Sequence, residues 1–269
     1  MADLLKIGHI NYLNCWPITY PLMNLKLSFE LVFGNPQELN NKYTSGSLRA
    51  GAMSSFNYLL NADNDDPFIL LPNLSISSIG KVGSVLLISK NSFNFAPESI
   101  IELTSQSLTS VNLLKVLILE KYGHLPVLKT AIKPSLEVSD AILLIGDEAL
   151  IAAQKIDTLK YAIIDLGQWW YDLFKLPMVF GLWGFRRTLY QENENICKIV
   201  TSQFNEALYL GLGALKEGVL ETASKKIDYS KANLSNYFYK MLNFNFTPEH
   251  LNGLNLFKNL CHKHGLIKG

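Results

Sequence analysis

The sequence predicts an α/β protein of two lobes joined by two crossing strands, with a helical segment toward its C-terminal end. Three observations support this fold class. Short apolar runs alternate with helical patterns in the first third of the chain, which is typical of an α/β sheet with parallel strands. The same alternation restarts after the β-type run at 82–90. From Gln191 onward the pattern is almost purely helical.

The first unit begins with an apolar strand and then alternates helices with strands. One helix has clear boundary signals, because Asn35 is a good N-cap, Pro36 fits the first helical position and Gly46 lies beyond the end. A later helix begins at Ser54 or Ser55. The other predicted elements are a strand at Leu4–Ile10, a helix near Pro17–Asn24, and strands at Leu27–Phe33 and Leu48–Met53.

The second unit repeats this alternation. Its longest helix covers "SQSLTSVNLLKVLILEKYG" and ends at Gly123, a residue type that suits the left-handed conformation of a helix C-terminus. Asp147 is predicted to cap the helix "GDEALIAAQ", and "GQWWYDLF" forms another short helix. The predicted strands are 82–90, Ile100–Thr104, Val127–Ile132, Ala141–Ile145, Tyr161–Leu166 and 176–183.

The lobe boundaries follow from the helical tail. Helices are predicted over Glu192–Glu217 and Ser230–Leu242, and a last helix is expected to be capped by Thr247 ahead of Pro248. Such a tail cannot build its own sheet, so we expect it to pack on the first unit. The strands at 82–90 and 176–183 are then the crossovers, and a ligand cleft is expected between the lobes. The predicted lobes are 1–84 with 182–269, and 85–181.

The composition argues against a nucleic-acid or membrane partner. The chain of 269 residues has 24 basic and 23 acidic residues spread along its length, so no basic surface is indicated. No apolar run reaches the roughly 18 residues of a membrane helix. Cys15, Cys197 and Cys261 are odd in number and widely spaced, which argues against a disulfide framework or a zinc site. We therefore expect a cytoplasmic protein that binds a small molecule.

Two predicted helix starts carry more hydroxyl groups than a cap requires. A cap uses one hydroxyl, but "MSSF" supplies Ser54 and Ser55, and "SQSLTS" supplies Ser107, Thr109 and Ser110. The other interpretation is an anion site, in which hydroxyls and helix-end amides hold a carboxylate. Only three arginines occur in the chain, so amides, hydroxyls or lysines must hold any anion. Both interpretations stay open for the first cluster, and the second cluster favours an anion site.

The other candidate residues also have ordinary explanations. Ser84, in "GKVGSVLL", faces the cleft if its strand is a hinge, and is otherwise a small strand residue. Trp169 and Trp170 are adjacent, so they cannot share one helical face; core packing explains at least one, and the other can form the wall of a site for a ring-shaped ligand. Common catalytic motifs are missing from the sequence. His9 lies in the first predicted strand and can be a core histidine. The other interpretation is a nucleophile pair with Cys15, but residues six apart across a strand end need not meet.

Five segments of the chain carry a family resemblance. They are "IGHINYLNCWPITYPL", "SSFNYLLNAD", "TSVNLLKVLILEKYG", "LLIGDEAL" and "DLGQWWYDLFKLPMVFGLW". In this order they resemble the chorismate dehydratases of the futalosine route to menaquinone, and the combination of Y-L-N, I-G-D-x-A-L and D-L-G-x-x-W is specific. The resemblance implies a periplasmic-binding-protein-like (type II) fold, with two lobes, two crossover strands and a ligand between the lobes. That fold agrees with the one predicted from periodicity.

The resemblance also implies an activity. The family members are hydro-lyases, a kind of carbon–oxygen lyase, and remove water from chorismate to give 3-[(1-carboxyvinyl)oxy]benzoate. The product ring is aromatic, which drives the step, so no metal or organic cofactor is expected. We expect chorismate as the small-molecule partner, and we expect the protein to be a monomer or a homodimer. The alternatives are the related 1,4-dihydroxy-6-naphthoate synthase, whose N-terminal pattern differs, and a non-catalytic small-carboxylate-binding protein, which usually carries a secretion signal.

The resemblance assigns roles to individual residues. Asn14, from Y-L-N, and Ser84 are the expected catalytic residues, and both hydrogen-bond the reacting part of the substrate. The base is expected to be the substrate's own side-chain carboxylate, because few acids and bases are available. The sequence departs from the family pattern at Arg49 and Asn57, where acidic residues are common. The expected substrate-binding residues are Ser54, Ser55, Ser107, Thr109, Ser110, Asp147, Trp169 and Trp170.

Overall fold

The computed structural model describes residues 4–267, which form two compact units. The first unit contains the residues up to Ser77 together with Val179–Thr247. The second contains Ser78–Met178 together with the residues from Pro248 onward. Each unit has a five-stranded sheet of its own.

Helices and strands follow one another along the chain in a regular order. Before residue 84 they are β1 Leu5–Ile10, a 3₁₀ turn at Leu13–Cys15, α1 Trp16–Asn24, β2 Phe29–Gly34, α2 Pro36–Thr44, β3 Ala50–Ser54, α3 Ser55–Leu60 and β4 Phe68–Ser78. From 85 to 177 they are β5 Val85–Lys90, β6 Ile100–Thr104, α4 Leu108–Tyr122, β7 Val127–Ala131, β8 Ala141–Ile145, α5 Gly146–Lys155, β9 Tyr161–Asp165 and α6 Leu166–Phe174. The remainder are β10 Met178–Arg186, α7 Arg187–Glu192, α8 Glu194–Leu212, α9 Lys216–Ala223, α10 Lys231–Asn236, a π-helical turn at Tyr237–Met241 and α11 Pro248–Lys263.

The sheet of the first unit has the strand order β2-β1-β3-β10-β4. β1 runs parallel to both β2 and β3, and β10 runs antiparallel to β3. Gly8 of β1 lies opposite Gly51 of β3, and a Cβ atom on Gly51 would lie 2.3 Å from the Gly8 carbonyl oxygen. Gly51 also has φ +141°, so glycine is required where these strands meet. The carboxyl ends of β1 and β3 are therefore neighbours.

The sheet of the second unit has the strand order β7-β6-β8-β5-β9. β6 is parallel to β7 and β8, whereas β5 is antiparallel to β8 and β9. β8 is buried along its whole length, and Leu86, Ile88, Ile142 and Leu144 form a core with Ala149 of α5. Such continuous apolar runs are expected of strands covered on both faces.

The prediction of parallel strands is confirmed for β1 with β2 and β3 and for β6 with β7 and β8, but not for every strand. Each sheet contains an antiparallel strand, which is β10 in the first unit and β5 in the second. In each case it is the strand that the chain forms on entering that unit from the other one. The first crossover was predicted at 82–90, but the chain leaves the first sheet through β4, which the pattern did not predict. The apolar run of β4 is interrupted by Pro72 and by Asn73, and Asn73 has φ +60°. The second predicted crossover, 176–183, corresponds to β10.

The helical tail also differs from its prediction. α11 belongs to the second unit, not to the first, because Phe257 packs against Trp170 and Lys263 bonds to Glu120 of α4. The predicted long helix over Glu192–Glu217 is divided into α7, α8 and α9. No helix of the described residues is long and apolar enough to span a bilayer.

Candidate active site

The predicted site residues of the first unit lie at the carboxyl ends of two neighbouring strands. Asn14 is in the 3₁₀ turn that follows β1. Ser54 and Ser55 lie where β3 is followed by α3. Because β1 and β3 are parallel neighbours, the three residues share one edge of the sheet. This edge is where open α/β sheets usually bind ligands.

A chain of buried hydrogen bonds holds the turn of Asn14. The Nε2 atom of His9 lies 2.8 Å from the Thr19 hydroxyl, which donates to the Cys15 carbonyl oxygen at 2.9 Å. The single hydroxyl proton of Thr19 is used in that second bond, so His9 must be the donor in the first. Burial lowers the pKa of His9 to about 3, which keeps the ring neutral. His9 is therefore a hydrogen-bond donor to this turn and a poor base for the Cys15 thiol.

Asn14 has an unused hydrogen-bonding group at this edge. Its Oδ1 atom is buried and has no hydrogen-bond partner among residues 4–267. Buried polar atoms in folded proteins are nearly always paired, so an unpaired one is a candidate for contact with a ligand. An asparagine side chain can also donate from its nitrogen, which suits a substrate hydroxyl.

The two serines of the first unit have different positions. Ser54 is the N-cap of α3 and accepts a hydrogen bond from the Asn57 backbone at 3.3 Å. Ser55 is fully buried in the first turn of that helix, so capping explains only one of the two hydroxyls. Arg49 flanks this pair in the sequence but precedes β3, at the other end of the strand, and bonds to Glu192 at 2.7 Å.

One open hollow of the first unit lies at the end of β3 opposite to Ser54. Arg49 and Arg186 are among its lining residues. Arg186 donates to the backbone oxygens of Asp66 and Tyr43, at 2.6 and 3.2 Å, and Arg49 is occupied by Glu192. Because protein groups already engage both guanidinium groups, this hollow is not the anion site predicted from the hydroxyl clusters.

The predicted residues of the second unit share one edge of its sheet. Ser84 directly precedes β5, Asp147 follows β8, and the hydroxyls of 107–110 follow β6. β6 and β8 are parallel neighbours, and β5 begins where β8 ends because Val85 pairs with Ile145. A backbone hydrogen bond of 2.7 Å from Gly146 to the Ser84 carbonyl oxygen closes this corner. The structure therefore brings together Ser84, Ser107, Thr109, Ser110 and Asp147.

The cap predictions of the second unit have mixed outcomes. Ser107 caps α4, accepting from the Ser110 backbone at 3.2 Å and donating to the Ser110 hydroxyl at 3.0 Å. Thr109 is buried and is not needed for the cap. Asp147 is not a cap: α5 begins at Gly146, and Asp147 lies in the first turn, where the helix dipole favours a negative charge.

The two tryptophans of α6 lie in different surroundings. Trp170 has no exposed surface, and its ring packs against Phe174 and Phe257 with centroids 4.5 and 6.0 Å away. Trp169 is 8% exposed, packs edge-on against Phe95 and has the Lys121 ammonium 5.4 Å from its ring centroid. The structure therefore places Trp170 in the core of the second unit, as one of the two interpretations expected.

The structure adds one residue to this edge that the sequence interpretation missed. Asp165 caps α6 through the Gln168 backbone and also accepts hydrogen bonds from the backbone of Val82 and Gly83, directly before Ser84. The glycine-rich segment "GKVGS" was the available signal, because its backbone N–H groups need acceptors.

The chemistry available at both edges is mainly neutral. Hydroxyl groups, an amide and helix-end N–H groups can hold carboxylates and contact a substrate hydroxyl. Within residues 4–267 there is no group of three or more His, Cys, Asp or Glu side chains placed to bind a metal ion.

Comparison with known proteins agrees with this description. A chorismate dehydratase from Thermus thermophilus is 30% identical over 264 residues, which cover 93% of this chain and 92% of the relative. A crystal structure of an Archaeoglobus fulgidus protein superposes with a TM-score of 0.73, at 19% identity and with 98% of both chains covered.

A Candida albicans gene product, described as having the generic periplasmic binding protein fold, has a TM-score of 0.66 at 13% identity. That superposition covers 100% of this chain and 92% of the other. The predicted periplasmic-binding-protein-like fold is thereby confirmed. The family described as "Menaquinone biosynthesis" matches residues 5–263, and because this match spans nearly the whole sequence, the chain belongs to that family.

Proposed function

We propose that this chain is a chorismate dehydratase, a hydro-lyase that converts chorismate to 3-[(1-carboxyvinyl)oxy]benzoate and water. The observation that carries the proposal is the 30% identity to a chorismate dehydratase over 264 residues. The composition of the two sheet edges supports it, because hydroxyl and amide groups suit a substrate with two carboxylates and a hydroxyl.

The proposed reaction needs little from the protein beyond orientation. The ring carbon that bears the enolpyruvyl ether loses its proton, the C–O bond to the neighbouring hydroxyl breaks, and the electron pair of the C–H bond completes the aromatic ring. The substrate's side-chain carboxylate accepts the proton, and the proton and the departing hydroxide together form one water. The enzyme gains rate by fixing this geometry and by stabilising the developing charge on the leaving oxygen.

The residues divide into two roles in this proposal. Asn14 and Ser84 contact the reacting part of the substrate, and the unpaired Oδ1 atom of Asn14 supports its part in this contact. The hydroxyls of Ser54 and Ser55 hold one carboxylate. Those of Ser107, Thr109 and Ser110 position the carboxylate that acts as the base. The participation of both units in binding one substrate stays a prediction.

The test is to incubate purified protein with chorismate and follow the aromatic product by absorbance and mass spectrometry, beside a reaction without protein. We expect Asn14→Ala and Ser84→Ala each to lower kcat by on the order of 100-fold, the usual loss when one group that stabilises the transition state is removed. The matched controls are Asn40→Ala, which removes another buried, unpaired amide oxygen, and Ser89→Ala, which removes a buried serine at the other end of β5. Both controls should keep the wild-type rate.

Other outcomes identify the alternatives. Binding of chorismate without turnover would favour a carboxylate-binding protein. If chorismate neither binds nor reacts, the related 1,4-dihydroxy-6-naphthoate synthase becomes the better proposal. Full activity of Asn14→Ala would show that the role given to Asn14 is wrong.

A further inference from the structure

The loop that leads into Ser84 is held by the carboxylate of Asp165. The Val82 N–H lies 3.1 Å from both carboxylate oxygens, and the Gly83 N–H lies 2.7 Å from Oδ2. The Gln168 N–H completes the set, at 3.1 Å from Oδ1. One side chain therefore both caps α6 and binds the backbone of the two residues before Ser84.

The ionised form of Asp165 suits this arrangement. A carboxylate has two acceptor oxygens and no donor, so it can accept from all three N–H groups at once. Hydrogen bonds to an ionised acceptor are also about twice as strong as neutral ones. Gly83 has φ +72°, a conformation that favours glycine. The loop conformation and the carboxylate thus depend on each other.

The glycine of the D-L-G motif allows the helix start to approach this loop. A Cβ atom on Gly167 would lie 2.6 Å from the Ser78 hydroxyl oxygen, 2.7 Å from the Gly80 carbonyl oxygen and 3.0 Å from the Val82 Cβ atom. Any larger residue would push the loop away from α6. The motif is therefore a binding surface for residues 78–83, with Asp165 supplying the charge and Gly167 the space.

Ser84 is fixed from its other side as well. Its carbonyl oxygen accepts from Gly146 at 2.7 Å, and the next residue, Val85, pairs with Ile145 of β8. We propose that Asp165 is a positioning residue for Ser84: it holds the loop before Ser84 so that the serine hydroxyl has one defined position during the reaction. This inference rests on the proposed function, in which Ser84 contacts the substrate.

The variant Asp165→Asn tests the proposal with almost no change of shape. The amide keeps one acceptor oxygen, so it can still cap α6 and accept from Val82, but the NH₂ group in place of Oδ2 cannot accept from Gly83. We expect kcat for chorismate to fall on the order of 10- to 100-fold, as expected when a reacting group loses its position. KM should change little, because substrate binding does not depend on this contact. Hydrogen exchange of residues 78–84, measured without substrate, should become faster.

The matched control is Asp140→Asn. The Asp140 carboxylate also accepts from a backbone N–H, that of Ile100 at 2.9 Å, but it precedes β8, at the opposite end of the strand from Gly146. The strand places it about 20 Å from the Ser84 corner. This variant should keep the wild-type kcat and leave exchange of residues 78–84 unchanged.

Each outcome decides the proposal. Wild-type kcat in a folded Asp165→Asn protein, or unchanged exchange of residues 78–84, would overturn it. If Asp165→Asn does not fold, Gly167→Ala takes its place, because the added methyl group displaces the loop while Asp165 stays. Hydrogen exchange and kcat equal to those of the wild type in that variant would also overturn the proposal. If wild-type protein does not convert chorismate, the proposed function fails, and the exchange comparison still shows whether Asp165 holds the loop.

Discussion

The turn that carries Asn14 and the loop that carries Ser84 are held by opposite kinds of contact. In the first unit, a fully buried neutral histidine donates to Thr19, which donates to the Cys15 carbonyl. In the second unit, the half-buried carboxylate of Asp165 accepts from several backbone N–H groups. The hydrogen bonds of His9 and Thr19 depend on burial and on one tautomer of the histidine ring. The contacts of Asp165 depend on its carboxylate.

The same regions share a second device, the close approach of a backbone at a glycine. Gly211 of α8 faces the Pro17 carbonyl of α1, the helix that follows the Asn14 turn, and Gly167 of α6 faces the Gly80 carbonyl. A Cβ atom would lie 1.7 Å from the first oxygen and 2.7 Å from the second. The turn of Asn14 is therefore supported by tight packing to a greater degree than the loop of Ser84.

The largest effect is expected from Gly211→Ala. The added methyl group overlaps the Pro17 carbonyl, and α1 must move away from α8, so the free energy of unfolding should fall by about 3 kcal/mol, the upper part of the range for overpacking. Urea denaturation measures this. The control is Gly181→Ala in β10, whose nearest atom lies 3.5 Å from the added Cβ, and which should cost less than about 1 kcal/mol. Equal costs would show that α1 is not held by this contact.

The next effect is that of Thr19→Val. The variant keeps the size of the side chain but leaves the buried Nε2–H of His9 without an acceptor, so we expect a loss of about 2 kcal/mol. Thr201→Val is the matched control, because Thr201 donates to the Cys197 carbonyl at 2.8 Å in the same i to i−4 geometry. It should cost less than half as much. Thr19→Ser should restore most of the loss. If all three variants are equally stable, the hydrogen bonds of His9 and Thr19 do not support the turn.

A third effect concerns the pH dependence of stability. The pKa of His9 is about 3 in the folded chain, below the ordinary value of about 6.5 expected when unfolded. As the pH falls, His9 is therefore protonated in the unfolded chain before it is protonated in the folded chain. Its contribution to stability is fully present above pH 6.5 and declines as the pH falls toward 3. By pH 5.5 the wild type should have lost about 1.4 kcal/mol from this group alone. The His9→Asn variant lacks this titrating group. Parallel profiles of unfolding free energy against pH for the two proteins would therefore contradict the buried, neutral state of His9.

The sequence predicted most of the fold where its signals are local. β6 and β8 have their predicted bounds, Asn35 and Glu38 form a capping box at α2, and Gly123 ends α4 at φ +75°. The missed strand β4 has a proline and a left-handed asparagine inside it, so its pattern is not that of a regular strand. The placement of α11 depends on contacts with Glu120 and Trp170, which lie more than a hundred and about ninety residues away in the chain.

The same division applies to the candidate site. The positions of Asn14, Ser54 and the 107–110 hydroxyls follow from the rule that loops at the carboxyl ends of parallel strands share one edge. The role of Asp165 does not, because its partners Val82 and Gly83 precede it by 83 and 82 residues. The sequence allowed His9 to be a core residue, but its tautomer required the direction of the Thr19 hydrogen bond.

The smallest effect is expected where charge stabilises the second unit without supporting either site residue. Burial raises the pKa of Glu120, but hydrogen bonds from Lys263 and His264 outweigh this and lower it below its ordinary value. The contact therefore stabilises the fold above the unfolded pKa of about 4.3 and is lost as the pH falls through the lowered value. Glu120→Gln should cost about 0.5–1 kcal/mol at low salt and less at high salt, since Lys263 is 60% exposed.

Glu194→Gln removes the exposed pair with Lys198 on α8 and is the control, with an expected cost of about 0.3–0.5 kcal/mol. In both variants kcat should stay at the wild-type value. A fall in kcat for Glu120→Gln as large as that for Asp165→Asn would show that any lost carboxylate in the second unit disturbs Ser84. The contact of Asp165 with the loop would then not be the specific cause.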